Sequence, residues 1–364
     1  MEYQGFKRVI VTITVIKTKY RVQHTHTSSG VIAMVQGAVN WNTETTQEWL
    51  QNYVDDWVAF YRKHTADGEV ASYIPILGEA NPDHLGITII GNDGMRVSSG
   101  DVGIPFTIQS ISKVFSFIVA CMDRGITYVL DRVDVEPTGE AFNSIMHLEM
   151  KQLKKPFNPL INAGAITVSS MLSGNTSDEK LMSIFDLMEN MLGYRPALNV
   201  DVYESERDSS MRNRAIGYYL LETGFLESDL NITLETYFKQ CSIEITVDDL
   251  ARMGVVLAND GMDPESGEEI IPRQVARLAK ALMLTCGMYD ASGKFAAYVG
   301  IPAKSGVSGG IIALSPPRVR DEELPFINGC GIGVYGPALD DKGNSTAGIR
   351  LLRHIASQWD LSIF

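Results

Sequence analysis

The chain has 364 residues, enough for one large core or two lobes that share one. Hydrophobic residues make up 45% and charged residues 21%, an ordinary balance for a soluble globular protein. A formal net charge of −13, with Lys154-Lys155 as the densest basic pair, argues against nucleic acid as the main partner.

Residues 8–22 alternate β-branched and polar types but are broken by Lys17, Lys19 and Arg21, so they do not read as a signal peptide. A polar stretch follows over 24–30, and Met34 sits just before the first helical pattern. Residues 1–40 are therefore expected to be a poorly ordered extension, with Met34 an alternative initiator. From 45 to 63 Trp49, Leu50, Tyr53, Val54, Trp57, Val58 and Tyr61 recur at helical spacing. A short apolar strand over 85–90 and the turn Asn92-Asp93-Gly94 predict a hairpin. Residues 101–107 read as loop, and a helix from Ser110 stops at Gly125.

The span 140–287 is mostly helical in pattern, with segments at 162–172, 178–191, 204–221, 233–241, 247–258 and 272–284. Thr246 ahead of Val247-Asp248-Asp249 reads as an N-cap. Then 295–301, 310–315 and 326–335 become short, β-rich and glycine-punctuated, before a last helix over 345–359. Strands at both ends around inserted helices predict an α/β (α+β) fold. Its antiparallel sheet comes from the N- and C-terminal parts, about 70–105 and 290–364, and its helical lobe from about 106–289. The whole of 41–364 reads as one catalytic domain with its site in the cleft between the lobes.

Cys121, Cys241, Cys286 and Cys330 form no C-x-x-C pair, which predicts neither a zinc site nor a disulfide framework and fits a reducing compartment. His24 and His26 have no third ligand nearby, so no metal is expected. No uncharged apolar run reaches the ~18–20 residues that a membrane span needs.

Gln109-Ser110-Ile111-Ser112-Lys113 is the segment that carries chemistry. Residues at i and i+3 share a helix face, so the Ser110 hydroxyl and Lys113 amine fall together. Val114, Phe115, Phe117 and Ile118 would strip water from that amine. Its pKa would fall from roughly 10.4 toward the ~7–8 suited to a general base. A neutral amine beside a hydroxyl activates a serine without histidine. Alone, S-x-x-K is a weak signal; Lys304-Ser305-Gly306 ahead of a Gly-rich strand strengthens it, since β-lactamases and penicillin-binding enzymes pair such a box with the S-x-x-K serine.

The finer pattern resembles the glutaminase family. It is carried by Tyr73-Ile74-Pro75, Gln109-Ser110-x-x-Lys113, Asn158-Pro159-x-x-Asn162-Ala163-Gly164-Ala165-Ile166 and Ser205-Glu206-Arg207. Asn213-x-Ala215-Ile216-Gly217-Tyr218-Tyr219, Cys241-Ser242-Ile243-Glu244, Cys286-Gly287-Met288-Tyr289-Asp290 and Pro302-Ala303-Lys304-Ser305-Gly306-Val307 complete it, in the family's order. The resemblance implies a β-lactamase/transpeptidase-like fold and hydrolysis of L-glutamine to L-glutamate and ammonia through a glutamyl-serine intermediate. By the same resemblance Ser110 is the nucleophile, Lys113 the base and Tyr289 the donor to leaving ammonia. The N–H groups of Ser110 and Val307 hold the oxyanion, Glu206 meets the substrate ammonium, and Tyr73, Asn162, Asn213 and Tyr237 complete the substrate cage. It further implies a cytoplasmic homodimer or homotetramer without cofactor or metal.

From the residues alone, plainer readings stand beside these roles. Glu206 could belong to a solvated charged face, Asn162 could be an N-cap, and Tyr237 and Tyr289 could be core tyrosines. A penicillin-recognising enzyme and a catalytically dead amino-acid binder are the competing functions. A Ser-His-Asp hydrolase is the weakest, because the serine lacks a G-x-S-x-G elbow.

Overall fold

Alternation along the strands sets the architecture. In the computed structural model, which describes residues 43–139, 155–319 and 324–364, Ile87 and Ile89 of β1 (Gly86–Gly91) face the same way as Val97 of β2 (Arg96–Gly100). They join Ile311 and Ala313 of β6 (Gly310–Ser315) and Ile332 and Val334 of β7 (Cys330–Tyr335) in one apolar layer. The stretch 1–40, expected to be an extension, lies outside the described residues. With β5 (Ala303–Ser305) the strands run β2-β1-β7-β6-β5, antiparallel throughout. The N-terminal hairpin is thus sewn to the C-terminal strands through β1 and β7, as the sequence predicts.

Each face of the sheet has its own cover. Leu50, Val54 and Val58 of α1 (Thr43–Arg62) join the Ile87 layer, as do Leu351, Leu352 and Ile355 of α12 (Thr346–Gln358). The opposite face, with Ile312, Leu314 and Tyr335, packs with Val247, Leu250 and Val256 of α9 (Val247–Ala258). Contact there is close because β7 presents glycine: a Cβ on Gly333 would lie 1.9 Å from Val247 O. Gly333→Ala is therefore expected to cost about 3 kcal/mol or more. Urea unfolding measures it, and a loss below about 1 kcal/mol would contradict this account of the layer. A capping box starts α9, with Thr246 N donating to Asp249 Oδ2 at 2.8 Å and Asp249 N to Thr246 Oγ1 at 3.4 Å.

Among the described residues the remaining helices are α2 (Ser112–Arg124), α3 (Ile126–Arg132), α4 (Asn162–Met171), α5 (Ser177–Leu192), α6 (Val200–Ser209), α7 (Met211–Glu222), α8 (Leu230–Cys241), α10 (Arg273–Cys286) and α11 (Ser292–Tyr298). Residues 112–121 are buried around the whole of α2, which makes it the axis of the helical lobe. Two-residue strands β3 (Phe106–Thr107) and β4 (Glu244–Ile245) pair at its entrance.

Four local expectations change. The loop read over 101–107 ends in β3, because Phe106 pairs with Ile245. The single helix read over 204–221 is two, interrupted at Ser210, whose hydroxyl donates back to Glu206 O, while Ser209 Oγ donates to Ser205 O at 2.7 Å. Serine hydroxyls compete for helix carbonyls, and here two in succession do so. The β reading of 295–301 is mostly helix α11: Ser292, Phe295 and Val299 are the buried positions, at spacings of three and four. Ser110 lies in a 3₁₀ turn, Gln109–Ile111, just before α2 rather than within it.

Candidate active site

Three structural choices bring the candidate residues together. The 3₁₀ turn holds Ser110 two residues ahead of the α2 N-terminus, where the helix dipole favours negative charge. The end of β5 passes against this turn because residue 306 is glycine; a Cβ there would sit 2.7 Å from Ile108 O. The break at Ser210 lets α6 and α7 both contribute to the opposite wall.

Ser110, Asn162, Glu206, Asn213, Tyr237, Tyr73 and Val307 line one cavity of about 110 Å³. Tyr73 stands at its rim with 59% of its surface exposed, whereas Tyr237 is buried. A wider groove of about 600 Å³, lined by residues 66–73 and 339–343, meets this cavity at Tyr73 and Val307 but contains neither Ser110 nor Lys113.

Lys113 is fully buried. Its Nζ donates to Asn162 Oδ1 at 2.6 Å and approaches Leu160 O at 3.4 Å. Asn162 Nδ2 in turn donates to Asn213 Oδ1 at 2.8 Å, so Asn213 steadies the asparagine that holds the amine. Asn162 is no N-cap: Ile161 holds that position, and Asn158 Oδ1 accepts from the Leu160 and Ile161 N–H groups. Burial pulls the Lys113 amine down to about 8, against smaller opposing effects of Cys241 and Glu206.

Glu206 is only 6% exposed, so it is not part of a solvated face. Burial raises its carboxyl to about 7, partly offset by the Lys113 charge and by a hydrogen bond from the Gln109 side chain. Among the described residues, its Oε2 has no hydrogen-bond partner. A buried carboxylate oxygen left unpaired is costly and marks a place for a cation.

Tyr289 donates its hydroxyl proton to Ser305 O at 3.0 Å and is hydrogen-bonded with the Ser110 side chain. Burial holds it above the usual phenol range. Tyr289 (φ 53°) and Gln109 (φ 48°) both occupy the left-handed region, so backbone strain sits on either side of the serine. Lys304 Nζ donates to Ser305 O at 2.5 Å and lies 4.3 Å from the Tyr289 ring centroid. Burial and the nearby Lys113 push it well below the ordinary lysine range. Among the described residues, Val307 N–H is engaged by no backbone carbonyl.

All nine residues named from the sequence therefore converge on one place. Sequence reasoning missed Gln109 and Cys241 as site members, although both lie inside quoted motifs. Gln109 precedes the serine, and its Nε2 donates to Thr107 Oγ1 at 3.2 Å. The Cys241 thiol is pushed up to about 12 by burial and is not a nucleophile at neutral pH.

A five-stranded antiparallel sheet between helices, with a Ser-x-x-Lys turn facing a Lys-Ser-Gly strand, is the frame of the β-lactamase-like serine hydrolases. The Glutaminase family model matches residues 68–364. A glutaminase of Oceanobacillus iheyensis is 70% identical over 331 residues, covering 91% of this chain and all of that one. Glutaminase 1 of Bacillus subtilis is 57% identical over 309 residues, covering 85% and 94%. The crystal structure of a probable B. subtilis glutaminase superposes with a TM-score of 0.82 at 55% identity, covering 86% of this chain and 98% of that one. A B. subtilis glutaminase in covalent complex with 5-oxo-L-norleucine gives 0.79 at 52% identity, covering 86% and 100%. This chain belongs to the glutaminase family.

Proposed function

We propose that the chain hydrolyses L-glutamine to L-glutamate and ammonia through an acyl-enzyme on Ser110, with Lys113 as the base. The observation that carries this reading is Glu206 Oε2, unpartnered among the described residues, in the cavity that holds Ser110. A free amino acid brings the missing cation, and its side-chain amide then reaches toward the serine.

A neutral Lys113 has two N–H bonds, matched by Asn162 Oδ1 and Leu160 O, and one lone pair that takes the Ser110 proton. Ser110 Oγ then bonds to the amide carbon, and the N–H groups of Ser110 and Val307 hold the oxyanion. When the carbon–nitrogen bond breaks, Tyr289 relays a proton to the departing ammonia. Lys113, neutral again once its proton has passed to the ammonia, accepts a proton from the water that attacks the ester. It returns that proton to Ser110 Oγ as the ester bond breaks and glutamate leaves. Lys304 keeps Ser305 O and Tyr289 in place rather than acting as the base.

The pH dependence follows from both groups. Glu206 must be ionised to hold ammonium and Lys113 must be neutral to accept a proton. Activity should therefore rise with pH as they lose protons around 7 and 8. An acid limb of kcat/KM at an ordinary carboxylate value would count against both assignments. Glu206→Ala should raise KM about 10- to 100-fold, the loss of a charge-assisted bond, with a smaller change in kcat. An unchanged KM would remove Glu206 from the substrate contact.

The fit of free cysteines to a reducing compartment supports a cytoplasmic location. Among the described residues no helix is long and apolar enough to cross a membrane. A homodimer or homotetramer is supported by exposed Met211, Tyr218 and Leu221 on α7. Ammonia release from L-glutamine, L-asparagine and D-glutamine, with nitrocefin as a parallel substrate, tests the function. Turnover of nitrocefin but not L-glutamine would overturn it.

A further inference from the structure

Behind the cavity wall a buried polar knot joins three helices, each of which supplies one side of the site. Gln240, near the end of α8, is fully buried. Its Nε2 donates to Ser116 Oγ on α2 at 3.3 Å, and its Oε1 accepts from Ser169 Oγ on α4 at 3.2 Å. Ser116 Oγ passes its own proton to the backbone carbonyl of Lys113 at 3.3 Å. Ser169 Oγ shares its single proton with Ala165 O at 2.9 Å, in the first turn of the helix that begins at Asn162.

The ends of this chain of bonds are informative. One reaches the main chain of the lysine that takes the proton; the other reaches the turn that carries its hydrogen-bond acceptor. Gln240 itself adjoins Cys241 and follows Tyr237 by three residues, both of which line the cavity. Ser116 and Ser169 are fully buried as well. A fully buried amide between two hydroxyls stabilises a structure only when its bonds are made, and it fixes one relative placement of the helices that carry them. Apolar side chains of the same size would fill the space without setting that register.

We infer that Gln240 is a positioning residue for the hydrolysis reaction: it sets α2 against α4 so that the Lys113 amine meets Asn162 Oδ1 dry and in line. The inference rests on the reading of Lys113 as base. Nothing in it requires Gln240 to touch substrate, and its distance from the serine is bridged through Ser116 and the α2 backbone.

Gln240→Met keeps the volume and removes the bonds, and Ser169→Ala removes one arm with less risk to folding. Both should lower kcat roughly 10- to 100-fold, as small misplacements of a catalytic group do, with KM changed far less. The acid limb of kcat/KM assigned to Lys113 should move upward as water reaches the loosened amine. Combined with Gln240→Met, Ser169→Ala should add little further loss, because the two share one network. Gln240→Met with unaltered kcat and pH profile would overturn the inference, as would a fall in melting temperature with the limb unmoved. If Gln240→Met does not fold, Ser169→Ala alone decides by the same two readouts. Ser110→Ala and Lys113→Met run alongside separate the cases: turnover surviving those changes refutes the dyad, whereas their inactivity beside a normal Gln240→Met refutes only the positioning role.

Discussion

Ser110→Ala should abolish glutamine turnover, by about 10⁴-fold or more, and leave the fold in place. The side chain sits in a 3₁₀ turn whose backbone makes the local contacts, so losing one oxygen removes little packing. The proposed oxyanion donors, the backbone N–H groups of Ser110 and Val307, survive the change, as do Glu206, Asn162 and Asn213. Weak glutamine binding should therefore persist, and calorimetry would show it while ammonia release is gone. Retained turnover at even a hundredth of the native rate would point to a different nucleophile.

Lys113→Met should be nearly as severe for catalysis and should leave stability unchanged or raised. The ammonium form of Lys113 is disfavoured because the side chain is wholly buried. Methionine fills much the same volume with no amine to desolvate. A melting temperature equal to or above the native value is expected, together with a loss of roughly 10³-fold or more in kcat. Lys113→Arg should not rescue activity, since a guanidinium stays protonated throughout the working pH range. Substantial activity in Lys113→Met would move the base to Lys304, a buried amine against the Tyr289 ring.

The candidate reactive groups are legible in the sequence because their chemistry is local. Ser110 and Lys113 stand three residues apart ahead of an apolar run, and Lys304-Ser305-Gly306 opens a glycine-rich strand. Glu206 and Asn162 were legible only by family likeness, since a charged run and a helix start are each satisfied by solvent or by capping. Burial, which excludes a solvated face for Glu206, depends on how α6 meets α7, where Ser209 and Ser210 turn their hydroxyls onto helix carbonyls.

Long-range pairing hid the other features. Phe106–Thr107 becomes a strand only because Glu244–Ile245 arrives beside it. The segment after Asp290 looked extended because it ends in aromatic and β-branched residues. Ser292, Phe295 and Val299 nonetheless reach the core at helical spacing. The knot at Gln240 could not be read from its neighbours, because its partners lie 124 and 71 residues away in the chain. The sheet was easier: apolar strand positions and turn residues announce it, and glycine at 331 and 333 becomes meaningful once α9 lies across β7.

The most direct measurement is covalent. Protein incubated with 6-diazo-5-oxo-L-norleucine, the reagent that reacted with the B. subtilis glutaminase described above, should be analysed by intact mass and peptide mapping across pH. A single adduct should form on Ser110, at a rate that climbs as Lys113 deprotonates near pH 8 and vanishes in Lys113→Met. An adduct on Cys241 or any residue other than Ser110, or a rate indifferent to pH and to loss of Lys113, would contradict a serine armed by a neutral lysine.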